Sequence, residues 1–301
     1  MRSRKQFSST LLLVGMVAMI SFSWLPTMRT EEVLAVPEEV LATPDKFGIE
    51  EIYPTASNGS VWYLNNEDPQ SDGNFYFTSL EDIGLDEEEH QGEFKMDAET
   101  GTERHGVRIH VDSPKGQWKN VEMSGYFKMV NGEDEFTMIA RHGPSYHDNG
   151  GCDAYGYYGM LSAEGDAFFK KKTYHHGGGY TDRTAVAENV VDELQDRWIG
   201  IKLIVYDVGE DDVKLELWVD NGDETNNWKK VTEYIDDGEW ETDESHCDRP
   251  DDYTIDSGTR ASFRVDDSEF EFKKLSVREI ETEKATFMPY AIETLSGKNQ
   301  P

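Results

Sequence analysis

The 301-residue sequence predicts an all-β protein, a two-sheet antiparallel β-sandwich. Three observations predict it. Short apolar runs alternate with clusters of Gly, Asn, Asp and Pro from Phe47 onward. Within the runs, apolar residues recur at every second position, which is the repeat of a strand with one buried face. Almost no segment carries helical spacing. Hydrophobic residues make up 37% of the chain and aromatic residues 12%, enough for one large domain with an aromatic and β-branched core.

The chain opens with a basic cluster, Arg2, Arg4 and Lys5, followed by an uncharged apolar run over residues 11–25. This is the pattern of a secretory signal, shorter than the ~20 residues that span a bilayer. Val33-Leu34-Ala35 is the candidate cleavage site, and an uncleaved N-terminal anchor is the alternative. The expected organisation is therefore a signal peptide or anchor over residues 1–35, an acidic, proline-bearing linker over 36–46, a β domain over 47–280 and a tail over 281–301. The expected location is secreted or cell-surface.

Within the domain, Asn58-Gly59-Ser60 reads as a glycosylation sequon or a turn. Residues 81–93 are strongly acidic and read as a solvated loop. In 106–111, Val107, Ile109 and Val111 share one face, and Arg108 and His110 the other. In 121–130, Met123, Phe127 and Met129 face one way, and Glu122, Tyr126 and Lys128 the other. Taken together, these two runs place Arg108, His110, Tyr126 and Lys128 on one exposed sheet face. A strand follows over 135–141, then a hairpin, 155–161 with 167–174, around Glu164-Gly165-Asp166. Residues 185–196 lack alternation and read as a short helix or loop. A second hairpin joins 198–206 to 213–219 through Gly209-Glu210-Asp211-Asp212, and the last strands cover 261–265 and 270–280.

The formal net charge is -32. So acidic a surface repels nucleic acid and anionic membranes, so neither is an expected partner, and membrane contact is expected only through an uncleaved anchor. The two cysteines, Cys152 and Cys247, are expected to form a disulfide in an oxidising compartment. On the chain-entropy model, closing so long a loop stabilises the fold by about 4–5 kcal/mol.

One stretch departs from the acidic background. Residues 139–183 carry His142, His147, His175 and His176, and six tyrosines from Tyr146 to Tyr180. Their charges balance, with Arg141, Lys170, Lys171, Lys172 and Arg183 against Asp148, Asp153, Glu164, Asp166 and Asp182. A neutral island rich in His, Tyr, Lys and Gly is a candidate binding surface; the plainer reading is two strands with half-buried tyrosines and solvated histidines.

Several segments fall in an order that resembles the concanavalin A-like jelly-roll superfamily of lectins, glucanases and polysaccharide lyases. They are Val121-Glu122-Met123-Ser124-Gly125-Tyr126-Phe127, Trp198-Ile199-Gly200-Ile201-Lys202, Leu215-Glu216-Leu217-Trp218-Val219-Asp220, Ser262-Phe263-Arg264-Val265-Asp266 and the closing run over 272–279. The resemblance covers roughly residues 107–280 and implies two bent sheets, with saccharide lying across one of them. It leaves the chemistry to be argued from the site.

Glycoside hydrolysis needs two carboxylates at a fixed separation. Glu133-Asp134-Glu135 is contiguous, so its acids do not share a strand face, and Glu216 has no acidic partner at the right spacing. Elimination from a polyuronate needs a cation at the carboxylate, a base for the neighbouring C–H, and an acid for the leaving oxygen. Arg108-Ile109-His110 faintly resembles the Gln-Ile-His strand of the alginate-lyase branch, which implies a role for His110. That branch's Arg-x-Glu-x-Arg strand is absent, and Phe263-Arg264-Val265-Asp266-Asp267 stands where its C-terminal Tyr-x-Lys-Ala-Gly-x-Tyr-x-Gln strand would be.

The expected function is thus an exported protein acting on an acidic polysaccharide or cell-surface glycan by β-elimination. A lectin-like binding or structural module is the alternative, and glycoside hydrolysis the weaker enzymatic reading. The expected catalytic residues are His110, Arg141, His142 and Tyr174. Arg108, Tyr126, Lys128, Tyr155, Tyr157, Lys170, Lys172, His175 and Tyr180 are the expected substrate contacts. No cofactor is required by this chemistry. Calcium is a candidate ligand of Asp220 and Asp223, in an acidic turn that does not match an EF-hand loop.

Overall fold

The structure is a computed structural model. It describes residues 44–67, 69–77, 93–97, 107–145, 148–175, 179–192, 194–240, 247, 249 and 253–282. The expected signal segment, the first part of the linker, almost all of the acidic 81–93 stretch and nearly all of the tail lie outside these residues, as do Tyr146, His147 and His176. No helix among the described residues is long and apolar enough to cross a membrane.

Among the described residues, fourteen strands run in chain order: β1 Val61–Tyr63, β2 Phe75–Phe77, β3 Glu93–Asp97, β4 Val107–Asp112, β5 Val121–Gly132, β6 Phe136–His142, β7 Gly156–Leu161, β8 Ala167–Lys172, β9 Thr184–Ala187, β10 Ile199–Asp207, β11 Val213–Asp220, β12 Lys229–Asp236, β13 Arg260–Val265 and β14 Ser268–Glu279. They form two seven-stranded antiparallel sheets. The first has the order β1-β14-β5-β10-β11-β12, with β3 also paired to β14. The second has the order β2-β4-β13-β6-β7-β8-β9. The architecture is the expected β-sandwich, of jelly-roll type.

Period-two alternation supplies the core between the sheets. Val107, Ile109, Val111, Phe263 and Val265 of the second sheet meet Met123, Phe127, Leu203, Leu217 and Phe272 of the first in one buried cluster. The sheets meet tightly at Gly159, where an added Cβ would lie 2.8 Å from Leu203 and 2.9 Å from Leu217, so the leucines of the first sheet fill the side-chain space that Gly159 leaves.

Both expected hairpins form, β7 with β8 and β10 with β11. Gly165 and Gly209 sit in their turns at φ 89° and 94°, a region that glycine enters without steric cost. Cys152 and Cys247 are joined in a disulfide with Cα atoms 5.6 Å apart, a normal span for such a bond. The Asn58-Gly59 step forms a turn, closed by a hydrogen bond from the Gly59 amide to the Ala56 carbonyl.

Besides the short strands β1, β2 and β3, which the sequence reading does not name, three features depart from it. The 185–196 stretch opens in strand β9, and its described residues beyond Ala187 take the loop rather than the helix of the two readings. Strand β12 escapes notice because it is an edge strand, with exposed or half-buried residues at seven of its eight positions and no clean apolar face. The expected common face of Arg108, His110, Tyr126 and Lys128 is the third. The alternation within each run is right, but β4 and β5 belong to different sheets, so the two pairs lie on opposite outer faces of the sandwich.

Candidate functional site

The outer face of the second sheet can be laid out row by row from the strand registers. The central row runs Tyr76, His110, Ser262, Ile139, Tyr158 and Lys170, one residue from each of six neighbouring strands. On one side of it lie Asp112, Arg260 and His142, and on that same side Gly156, Lys172 and Tyr180. On the other lie Arg108, Arg264, Thr137, Met160 and Phe168.

A β-bulge decides which of two neighbouring residues joins this face. Ser262 pairs with Ile139, but Arg260 pairs with His142, so β6 carries one extra residue against β13. Strict alternation from Ile139 would put Arg141 outward and His142 inward. The extra residue, with Arg141 at φ 49°, reverses that. Gly258 makes room for the bulge, since a Cβ there would lie 2.0 Å from the Arg141 carbonyl carbon.

His142 accordingly lies in the face and Arg141 does not. The Arg141 guanidinium donates to the carbonyls of Lys119 (2.8 Å) and Ile255 (2.6 Å) and pairs with Asp207 at 2.7 Å. These bonds hold it in the core and away from the histidines, which corrects its expected place as the carboxylate-binding cation.

His110 and His142 converge on one hydroxyl. Ser262 Oγ lies 2.8 Å from His110 Nδ1 and 2.7 Å from His142 Nδ1, and the ring centroids are 5.6 Å apart. Tyr76 packs 5.0 Å from the His110 ring. Burial pushes the His110 imidazolium down to about 3, helped by the charges of Arg260 and Arg108. His142 is pushed well below its ordinary value by burial, then by His110, Lys172, Arg108 and Arg260. Both rings are therefore neutral at pH 7.

The second group is Lys172, Tyr158, Tyr180 and Arg264. The Lys172 ammonium lies 4.8 Å from the Tyr180 ring centroid and 3.3 Å from His175 Nδ1, while Tyr158 and Tyr180 meet edge to face at 5.5 Å. Burial opposes ionisation of Tyr180. The nearby charges of Lys172 and Arg264 outweigh it and bring the phenol down to about 8. Burial lowers the Lys172 ammonium, against a raising effect of Tyr180. Gly156 stands between His142 and Lys172 in its row and contributes no side chain; a Cβ there would lie 2.7 Å from Ile139. His110, Ser262, His142, Tyr158 and Lys172 are all buried, and Arg108, Arg260, Arg264, Lys170 and Tyr180 stand half-buried around them.

The other expected contacts fall elsewhere. Tyr126 is on the opposite outer face, its hydroxyl 2.8 Å from Asp220, and Lys128 pairs there with Glu271. Tyr157 alternates inward from Tyr158: its hydroxyl donates to Asp236 at 2.6 Å and accepts the Ile255 amide. Tyr155 lies at the disulfide-linked end, with the Arg249 guanidinium 5.1 Å from its ring centroid. Tyr174 is buried in the turn that leaves β8.

Asp220 accepts hydrogen bonds from the Gly222 and Asn226 amides and from the Thr225 and Tyr126 hydroxyls. Both its oxygens are thus engaged in closing the turn that also holds Asp223. Among the described residues no three His, Cys, Asp or Glu side chains group as a metal site would require.

The sequence reading passed over Ser262, Arg264, Arg260, Tyr76 and Tyr158 as site residues. The signal for the first two was present: Phe263 and Val265 alternate inward, which turns Ser262 and Arg264 outward beside Arg108 and His110.

No protein-family model matches the chain, and no curated protein matches it. Solved structures do. A carbohydrate-binding module, CBM66, from Bacillus subtilis is 12% identical, with 75% of this chain and 99% of that one aligned and a TM-score of 0.40. A Bacillus subtilis protein of unknown function with a galectin-like fold is 10% identical over 76% and 98%, with a TM-score of 0.48. The alginate lyase Aly36B is 11% identical over 74% and 98%, with a TM-score of 0.44. None of the three exceeds 12% identity or a TM-score of 0.48, so the sandwich architecture rests on the strand pairings themselves.

Proposed function

We propose that this protein is an exported polysaccharide lyase acting on a polyuronate by β-elimination. The observation that carries the reading is the outer face of the second sheet, where neutral histidines, a tyrosine lowered to about 8 and a row of cations meet. Lys172 and Arg108 would hold the uronate carboxylate and make the neighbouring C–H acidic, with Arg264 joining them only by exchanging its ion pair with Asp266. Neutral His142, itself fully buried, would take that proton on a ring nitrogen once the bound chain reaches it. Tyr180, still mostly a phenol at pH 7, would return one to the leaving oxygen. Lys170, His175 and Tyr158 would line the bound chain. A strongly anionic protein repels polyanions over most of its surface, so cations gathered on one face favour approach there.

The fold and the disulfide suit an exported protein. The competing reading is glycan binding without chemistry, favoured by the aromatic rings of Tyr76, Tyr158 and Tyr180 beside the same cations. Purified protein incubated with alginate, glucuronan and pectate decides between them. Elimination leaves a conjugated double bond and rising ultraviolet absorbance. Binding with no such rise rejects the lyase and leaves the lectin.

A further inference from the structure

We propose that Ser262 is a positioning residue that fixes His110 and His142 in complementary tautomers, His142 protonated at Nδ1 and His110 at Nε2. A serine hydroxyl has one proton. With both Nδ1 atoms within 2.8 Å of Oγ, Ser262 donates to one ring and accepts from the other. The ring that donates carries Nδ1–H and keeps a lone pair at Nε2. The ring that accepts carries its proton at Nε2. The oxygen could accept from two Nδ1–H rings, but its buried proton would then have no acceptor, since the two histidines are its only hydrogen-bond partners among the described residues. Two Nε2–H rings would leave one Nδ1 facing an oxygen lone pair, so two neutral rings take complementary tautomers.

An imidazolium could also donate to Ser262, but the surroundings oppose it. Arg108, Arg260 and the Tyr76 ring face His110, while Lys172, Arg108, Arg260 and His110 face His142. The carboxylate at this edge, Asp112, is paired with Arg260 at 3.2 Å. Buried rings surrounded by cations stay neutral.

The direction of the pair rests on the elimination reading. A base at His142 needs the Nε2 lone pair, so His142 donates its Nδ1–H to Ser262, and Ser262 donates to His110 Nδ1. The serine thus does for His142 what a hydrogen-bond acceptor at Nδ1 does for any histidine base: it sets the tautomer and the ring orientation.

Two-bond ¹⁵N–¹H correlation spectra of the labelled, full-length protein near pH 7 test this directly. The expected result is two neutral rings, His142 as Nδ1–H and His110 as Nε2–H. Matching tautomers, or an imidazolium in either ring, overturn the lock. The reverse assignment overturns the proposed direction and with it His142 as the base. The Ser262→Ala variant should lose the fixed pairing and about 10²-fold in kcat with little change in KM, and Ser262→Thr should restore both. If Ser262→Ala fails to fold, the wild-type spectrum and Ser262→Thr still decide. Complementary tautomers in a protein that generates no ultraviolet-absorbing product would keep the lock and reject the lyase.

Discussion

The two outer faces of the sandwich bury charged residues in different ways. On the first sheet, Glu122 is enclosed by Lys202 at 2.7 Å and Arg278 at 2.9 Å, and Arg278 also reaches Glu51 at 3.0 Å. The second oxygen of Glu122 accepts the amides of Ile52 and Tyr53, from the segment that crosses this face. Burial raises the Glu122 carboxyl, but Lys202 and Arg278 outweigh it and hold it ionised. The second sheet instead sets cations beside two histidines and two tyrosines. The first pattern is charge matched to charge and covered by the chain itself. The second pairs Arg264 with Asp266 and Arg260 with Asp112, but also sets Lys172 against the ring of Tyr180 and beside His175.

This comparison can be broken by substitutions on each face. The largest effect is expected from His142→Ala, which should lower kcat/KM on a polyuronate by about 10²–10⁴-fold. A loss accounted for entirely by the unfolded fraction would remove His142 from the chemistry. On the opposite face, Lys202→Ala leaves Glu122 with one cation fewer and should cost about 3–5 kcal/mol of stability, read from denaturant midpoints. Its activity per folded molecule should match wild type; a selective loss of rate would mean that the faces are not separate in role.

A sharper distinction comes from pH. Tyr180 is proposed to act as the phenol, and its pKa is lowered to about 8. Activity should therefore fall as pH rises through about 8. In Tyr180→Phe that alkaline limb should vanish, and the remaining rate should be low and flat across it. A rate that climbs through the same range would make Tyr180 the base rather than the acid. The smallest effect is expected for Lys128→Ala. Its ion pair with Glu271 is partly solvated, so stability should change by no more than about 1 kcal/mol and activity not at all. A clear loss of activity would return the first sheet to the site.

Much of this was legible in the sequence because alternation reports which residues share a face of one strand. Val107, Ile109 and Val111 point inward as read, and Arg108 and His110 outward. Alternation does not report which sheet a strand joins, so Tyr126 and Lys128 were grouped with residues on the far side of the sandwich. Nor does it survive an inserted residue: the bulge at Arg141 exchanges the orientations of Arg141 and His142, and only the pairing of β6 with β13 reveals it. Tyr157 and Tyr158 looked equivalent by composition, yet one bonds a core carboxylate and the other meets Tyr180. Alternation turns Ser262 outward, but its contact with both histidines emerges only when β4, β13 and β6 lie side by side.

The central claim is that the cations of the second sheet make a polyuronate reactive and do not merely hold it. The most direct measurement is the rate of ultraviolet absorbance increase on a polyuronate, run beside polymer binding, for wild type and Lys172→Gln at matched folded concentration. The account predicts that wild type generates the absorbance, and that Lys172→Gln binds polymer with modestly reduced affinity while its rate falls by about 10²-fold or more. Equal rates in the two proteins, or binding by wild type with no absorbance, would contradict it.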